Sequence, residues 1–274
     1  MKKVSILISL AVMALAVTSC NDKDPKQVTK RILSIDRTTI EIYDGDTSNY
    51  DAHVAFNWNA DVLSSIDYDG EIEYFTYNAN NQLIQDSIVR GDILDANCSY
   101  HYDSNNRLVS ITMDNSASTT WRVGYLFEYN GDQKSKITYY STKPSLNDTV
   151  YIVADLTYEG DNIIERKETR YKASDTTSTD YANYTMSYDN NRNPLSELNI
   201  AGFYPMFEYR QTMFTWDMFS NNNVIRCNDN QSTSFEIERT FTYDEDGYPT
   251  NCEQHFVLIE GHVYQETFTF TYDK

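Results

Sequence analysis

The chain has 274 residues, among them 23 tyrosines and 12 phenylalanines, and its 41 acidic and 22 basic side chains give a net charge of −19 at pH 7. This negative charge excludes nucleic acid as a partner, because an acidic surface repels a phosphate backbone. The length and the aromatic content suffice for a sizeable buried core, which argues against a largely disordered protein.

The first 19 residues have the pattern of a signal peptide. A positive start, Met1 to Lys3, precedes an apolar stretch from Val4 to Val17. That stretch is shorter than the roughly 20 residues of a transmembrane helix. The sequence Val17-Thr18-Ser19-Cys20 resembles the lipobox of bacterial lipoproteins, which implies cleavage before Cys20 and acylation of its thiol. We therefore expect a lipidated tether over residues 20–30 and an outer-membrane lipoprotein that faces the periplasm or the cell surface.

One sequence motif recurs through the rest of the chain. It consists of an apolar residue, a polar residue, an aromatic residue called the anchor, an Asn/Asp-rich turn and a short apolar strand. Phe75-Thr76-Tyr77 followed by Asn78-Ala79-Asn80-Asn81 and Leu83-Ile84 is one copy. The anchors recur about every 28 residues, a spacing that suits hairpins with variable loops. The nine anchors are Trp58, Tyr77, Tyr102, Tyr129, Tyr158, Tyr188, Trp216, Tyr243 and Tyr272.

The side-chain pattern around each anchor has a period of two, which is typical of strands and not of helices. The anchor and the residue two before it are apolar, whereas the residue between them is polar, as in Leu156-Thr157-Tyr158. One face of the sheet is therefore predicted to form the hydrophobic core and the other to face solvent. Residues 31–274 are predicted to form one all-β domain, an antiparallel up-and-down meander of about 16 to 18 strands, strongly curled or barrel-like.

Two family resemblances follow from these motifs. The segment Tyr100-His101-Tyr102-Asp103-Ser104-Asn105-Asn106-Arg107-Leu108 resembles the YD repeat of Rhs proteins and teneurins, which implies a spiralling sheet around a hollow shell. The lipobox, the tether and the anchored hairpins together are more similar to a Bacteroidetes lipoprotein family of unknown function. That resemblance implies a porin-like β fold and brings no known activity.

The sequence has no motif of a catalytic site, so we predict that the protein is not an enzyme and needs no cofactor. A hairpin turn at residues 260–261 would place His255 opposite Glu266 and His262 opposite Ile259. This arrangement predicts solvated histidines and no metal site. The thiols after the lipobox are predicted to form no disulfides, because a further strand separates the two that occupy corresponding positions: Cys98, Cys227 and Cys252.

Three tyrosines, Tyr151, Tyr181 and Tyr209, stand seven residues before successive anchors. The odd offset puts them on the polar face, near the variable loops 114–119, 142–148 and 172–180. Such a stripe could stack against sugar rings. The competing explanation is that tyrosine is common in this chain and favours strands.

Three functions agree with these features. The first is a non-catalytic cell-envelope lipoprotein that binds a glycan or a partner protein. The second is a structural or outer-membrane assembly lipoprotein, a sheet shell or barrel with no small ligand. The third is a membrane-spanning barrel, which the lipid anchor and the polar residue beside each anchor oppose.

Overall fold

The structure is a computed structural model that describes residues 30–115, 122–143, 148–172, 175–196, 198, 220–231, 235–259 and 261–273. These residues form a closed antiparallel barrel in which each strand pairs with its sequence neighbours and the last strand pairs with the first. The predicted all-β meander is confirmed, and pairing of the last strand with the first closes it into a barrel. The strands are β1 (Ile32–Tyr43), β2 (Asp46–Asn59), β3 (Val62–Tyr68), β4 (Glu71–Tyr77), β5 (Leu83–Arg90), β6 (Ile93–Tyr102), β7 (Leu108–Asn115), β8 (Arg122–Asn130), β9 (Gln133–Lys143), β10 (Asp148–Glu159), β11 (Asn162–Lys172), β12 (Asp175–Arg192), β13 (Asn222–Asp229), β14 (Glu236–Tyr243), β15 (Pro249–Ile259) and β16 (His262–Tyr272).

The connection between β12 and β13 differs from the predicted repeat. β12 pairs directly with β13, so the barrel wall contains no hairpin between them. The predicted anchor Trp216 falls outside the described residues. At the start of the connection, Leu195 and Leu198 are buried in the barrel core. This segment therefore contributes core side chains where the repeat pattern predicted wall strands.

The apolar face of the sheet points into the barrel. Side chains from distant strands, such as Ile66, Ile111 and Phe268, belong to one buried cluster and are at most 1% exposed. A round barrel of 16 strands would enclose a water-filled channel. These inward side chains are buried against one another and against Leu195 and Leu198 of the β12–β13 connection, so side chains fill the lumen at the level of this cluster.

The outer face is polar beside the anchors, as the alternation predicted. The residue before each described anchor is exposed. The polar residues are Asn57, Thr76, His101, Glu128, Thr157, Ser187, Thr242 and Thr271.

The anchors join neighbouring hairpins through a repeated hydrogen bond. The Tyr77 hydroxyl donates to the Leu63 carbonyl oxygen at 2.7 Å, and the Tyr102 hydroxyl donates to the Leu83 carbonyl oxygen at 2.8 Å. Tyr129, Tyr188, Tyr272 and the Trp58 indole N–H make the corresponding bonds. A phenylalanine could fill the same space but could not donate. This bond explains tyrosine or tryptophan at these six anchors, whereas the Tyr243 hydroxyl donates to the Asp189 carboxylate.

Each anchor also follows a β-bulge. Strand register shifts just before Tyr77, Tyr102 and Tyr129, and each anchor then pairs with the first or second residue of the next strand. That partner is Leu83 for Tyr77 and Leu108 for Tyr102, but it is Lys134 for Tyr129. The Lys134 ammonium lies 5.9 Å from the centre of the Tyr129 ring. Burial lowers the pKa of Lys134 to about 8.

The Asn/Asp turns are closed by side-chain hydrogen bonds. Asp103 Oδ1 accepts from the backbone N–H groups of Asn105 and Arg107, and Asn106 has a φ of 62°. Asn78 and Asp244 close their turns in the same way. A residue that tolerates the left-handed region is needed at the position of Asn106. These turns lie at one end of the barrel, called the turn end; the opposite end is called the far end.

Two details concern the cysteines and histidines. Cys98, Cys227 and Cys252 are all fully buried thiols in core positions. His262 faces Ile259 as predicted. His255 faces Gln265 and not Glu266, because the register shifts between positions 257 and 259.

Among the described residues, no helix is long and apolar enough to cross a bilayer.

Candidate functional site

The structure places Tyr151 on the outer face of β10, between two further tyrosines. Tyr151 is directly opposite Tyr140 on β9 and Tyr171 on β11. These three residues form the tyrosine row. Cα atoms of facing residues lie about 5 Å apart in an antiparallel sheet, so the row spans roughly 10 Å. Tyr171 is 37% exposed.

The other two predicted stripe residues do not join this row. Tyr181 lies at a register shift between β11 and β12, where the facing pairs jump from Ala182 to Asp180. Its ring is 49% exposed and lies 5.8 Å from the Arg170 guanidinium. Tyr209 falls outside the described residues. The predicted spacing of two strands is therefore replaced by a tighter row on adjacent strands.

Gly124 extends the aromatic surface to a fourth strand. It lies on the outer face of β8 directly opposite Tyr140, and a Cβ atom at this position would be 2.2 Å from the Tyr140 ring. The ring therefore covers the glycine. A single glycine inside a strand often marks such a close approach, and this signal in the sequence could have identified Tyr140.

The outer surface changes character along these strands. Nearer the turn end, the row Glu128, Lys136, Asp155 and Lys167 is charged, and Lys136 Nζ lies 3.6 Å from Asp155 Oδ1. The next row toward the far end contains Leu126, Thr138, Val153 and Thr169, and Leu126 is 45% exposed. The tyrosine row follows. An apolar and aromatic surface thus lies close to the far end of the barrel.

This surface can bind a flat ligand with apolar faces and polar edges. Aromatic rings supply rigid contact area, and tyrosine adds a hydroxyl that bonds to water or to a ligand. A sugar ring has the matching chemistry, since its C–H face is apolar and its rim carries hydroxyl groups.

The interior contains a pair of buried carboxyl groups on adjacent strands. Glu73 and Asp86 are 1% and 0% exposed. The Tyr100 hydroxyl donates to Asp86 Oδ2 at 2.5 Å, whereas neither Glu73 oxygen makes a hydrogen bond of normal geometry within the described residues. Burial and the charge of Asp86 raise the pKa of Glu73 well above its usual range, and burial raises that of Asp86. No described cluster of three or more histidine, cysteine or acidic side chains is suited to a metal ion.

A second aromatic group was not foreseen from the sequence. The His262 ring lies between Tyr43 and Tyr264, with ring centres 4.8 Å apart in both pairs. His262 Nε2 is 2.6 Å from Glu41 Oε1, and this contact lowers the pKa of Glu41. His262 is therefore packed and hydrogen-bonded, and the expectation of a solvated histidine was wrong at this position.

No family model matches the chain, and no curated protein matches it either. Among solved structures, it is similar to a porin-like protein from Bacteroides uniformis, with 15% identity, a TM-score of 0.56, and coverage of 88% of this chain and 98% of that chain. A porin-like protein from Bacteroides vulgatus gives 10% identity, a TM-score of 0.47, and coverage of 86% and 97%. The Bacteroides uniformis structure shows that the fold is porin-like, as the sequence resemblance implied.

Proposed function

We propose that the protein is a lipid-anchored, non-catalytic binding protein of the outer membrane, which captures a glycan through the tyrosine row. The observation that carries this proposal is the alignment of Tyr140, Tyr151 and Tyr171 on adjacent strands of the outer face. Aromatic side chains on an otherwise polar surface favour a ligand that stacks. The porin-like character of the similar solved structure supports a location in the cell envelope.

The way the chain enters the barrel supports an orientation for the row. Lys30 Nζ lies 2.8 Å from Asp244 and 2.6 Å from Asp246, and Arg31 Nε donates to Asp273 at 2.6 Å. These contacts hold the start of the barrel at its turn end. If Cys20 carries lipid, the turn end faces the membrane and the tyrosine row points away from it. A ligand outside the membrane could then reach the row.

The polar outer face supports a body that stands on the membrane and does not cross it. The charged outer row of Glu128, Lys136, Asp155 and Lys167 would face lipid in a barrel that spanned the membrane at this depth, at a free-energy cost. Preparation of residues 21–274 without detergent tests this part of the proposal. A preparation that dissolves only in detergent would contradict it.

The binding proposal is tested with a glycan array and two sets of variants of residues 21–274. The double variant Tyr151→Ala and Tyr171→Ala should weaken glycan binding by about fivefold per ring, since an aromatic contact is worth about 1 kcal/mol. Tyr74→Ala is the matched control, because Tyr74 is an exposed tyrosine on the outer face of β4. Equal binding by both variants, with unchanged melting curves, would exclude the tyrosine row as the site.

The lipid anchor is tested separately by Cys20→Ala in the full chain. We expect the variant to leave the membrane fraction and to incorporate no radiolabelled palmitate, because the acylated thiol is gone. Palmitate incorporation that persists in the variant would contradict the lipobox interpretation. The structural alternative, a shell with no small ligand, predicts that no glycan on the array binds while membrane attachment remains.

A further inference from the structure

The outer wall formed by β14, β15, β16 and β1 has a concave region, although the wall of a barrel is ordinarily convex outward. The concavity has a volume of about 430 Å³. Two cross-strand rows line it. In one, Glu238 faces His255, which faces Gln265; in the other, Thr240 faces Glu253, which faces Thr267. On β1, the apolar Ile40 continues the first row and Thr38 continues the second. We call this region the wall groove.

A buried hydrogen-bonded belt lies on the inner side of the same four strands. Thr39 Oγ1 donates to Glu266 at 3.1 Å, Gln254 Nε2 donates to the other oxygen of Glu266, and Arg239 Nε donates to Gln254 at 2.6 Å. All four side chains are at most 7% exposed. The belt joins one strand to the next directly behind the groove. The shape of the groove is thus fixed before any ligand arrives, which reduces the cost of binding.

The lining determines which ligands fit. The hydroxyls of Thr38, Thr240 and Thr267 both donate and accept hydrogen bonds, the Gln265 amide does the same, and the groove contains no lysine or arginine. Two carboxylates, those of Glu238 and Glu253, repel an anion. Arg226, outside the groove, lies 3.7 Å from Glu238 but pairs more closely with Glu236, at 2.6 Å, so the groove keeps a negative charge. Hydroxyl and amide groups that both donate and accept hydrogen bonds favour a hydroxyl-rich molecule, and the carboxylates disfavour an anionic one.

We infer that the wall groove is a second carbohydrate site, which takes an uncharged oligosaccharide. The inference rests on the proposed function only for the ligand class, since the groove and the tyrosine row lie on different strands. The volume is within the usual range for small-molecule sites. Two sites on one barrel would let the protein hold a long glycan at two points and so raise its avidity.

The test measures binding of neutral, uronic-acid and amino-sugar oligosaccharides, and of trilysine, by calorimetry with residues 21–274. Thr267→Arg places a long cationic side chain in the groove and should weaken binding of neutral oligosaccharides by about tenfold or more. Thr76→Arg makes the same change at an exposed outer position of β4 and should leave binding unchanged. Melting curves of both variants establish that the barrel is intact.

The outcomes separate the two sites. Thr267→Arg should lose binding of neutral glycans, while Thr76→Arg and the tyrosine-row double variant should retain it. This result supports the groove independently of the tyrosine row. Loss only in the double variant overturns the groove and leaves the row in place. Preference for uronic acids, amino sugars or trilysine overturns the uncharged ligand class, and an absence of glycan binding overturns both sites.

Discussion

The buried carboxyl group of Glu73 should make the barrel less stable as pH rises. In the unfolded chain this group ionises near its ordinary pKa of 4.5, whereas in the barrel burial and the neighbouring Asp86 raise the pKa well above that value. Above about pH 5 the unfolded state has therefore released a proton that the folded state retains. The unfolded state is favoured as pH increases, and stability is lost up to the folded-state pKa.

The size of the change in unfolding free energy follows from proton counts: in this pH window each group with a raised pKa binds one more proton in the folded state than in the unfolded state. Each raised group lowers the free energy of unfolding by about 1.4 kcal/mol per pH unit in this window. Glu73→Gln has nearly the same shape but no ionisable proton, so it should remove this contribution to the slope. Glu266, whose pKa is also raised by burial, contributes with the same sign in both proteins, and the difference between them isolates position 73 and its effect on Asp86.

The assay is urea unfolding followed by tryptophan fluorescence at several values between about pH 5 and pH 8. Glu128→Gln serves as the matched control, because Glu128 is exposed on the outer face of β8. The control should retain the wild-type slope, while Glu73→Gln should flatten it. If Glu73→Gln and wild type show the same slope, Glu73 is ionised or hydrated in the folded protein, and the dry interior inferred for this part of the barrel is wrong.

Three further predictions concern stability in the same urea assay. Tyr102→Phe should lower the free energy of unfolding by about 1 kcal/mol, since it removes only the hydrogen bond to the Leu83 carbonyl. An unchanged free energy of unfolding would mean that the bond contributes nothing. Tyr158→Ala should cost about 3–5 kcal/mol and Thr157→Ala less than about 1 kcal/mol, and equal losses would contradict the assignment of faces. Lys134→Leu should stabilise by roughly 1–3 kcal/mol at neutral pH, because burial lowers the lysine pKa to about 8 and partial exposure reduces the gain. Destabilisation would show that the ammonium makes contacts that outweigh its burial.

Sequence periodicity was sufficient for the fold because the pattern is local. Alternation at Leu156-Thr157-Tyr158 fixes which side chains face inward, and the Asn/Asp turns fix where strands reverse. The hydroxyl bonds of the anchors were not predictable, because their partner carbonyls lie 14 to 25 residues away along the chain. The anchor motif was also misleading near Trp216, where the repeat predicted a hairpin that the barrel wall does not contain.

The candidate sites were harder to predict because each depends on register between strands. Tyr151 was placed correctly on the outer face by its offset from the anchor. Its neighbours Tyr140 and Tyr171 have no fixed offset from their own anchors, so only pairing across β9, β10 and β11 brings them together. The bulge near Tyr181 removed that residue from the row. The pairing of Glu73 with Asp86 likewise depends on the fold and has no local signature.

Closure of the barrel has a consequence for how the protein must mature. The seam pairs β1 with β16, and Asp273 accepts a hydrogen bond from Arg31, 242 residues earlier. Such distant contacts form slowly, because the entropy of a very long chain segment must be lost before they contribute. Until β16 pairs with β1, the unpaired edge of β1 and the apolar side chains beside it are exposed to solvent. An unfolded chain is therefore most vulnerable to aggregation and proteolysis just before its final hairpin docks.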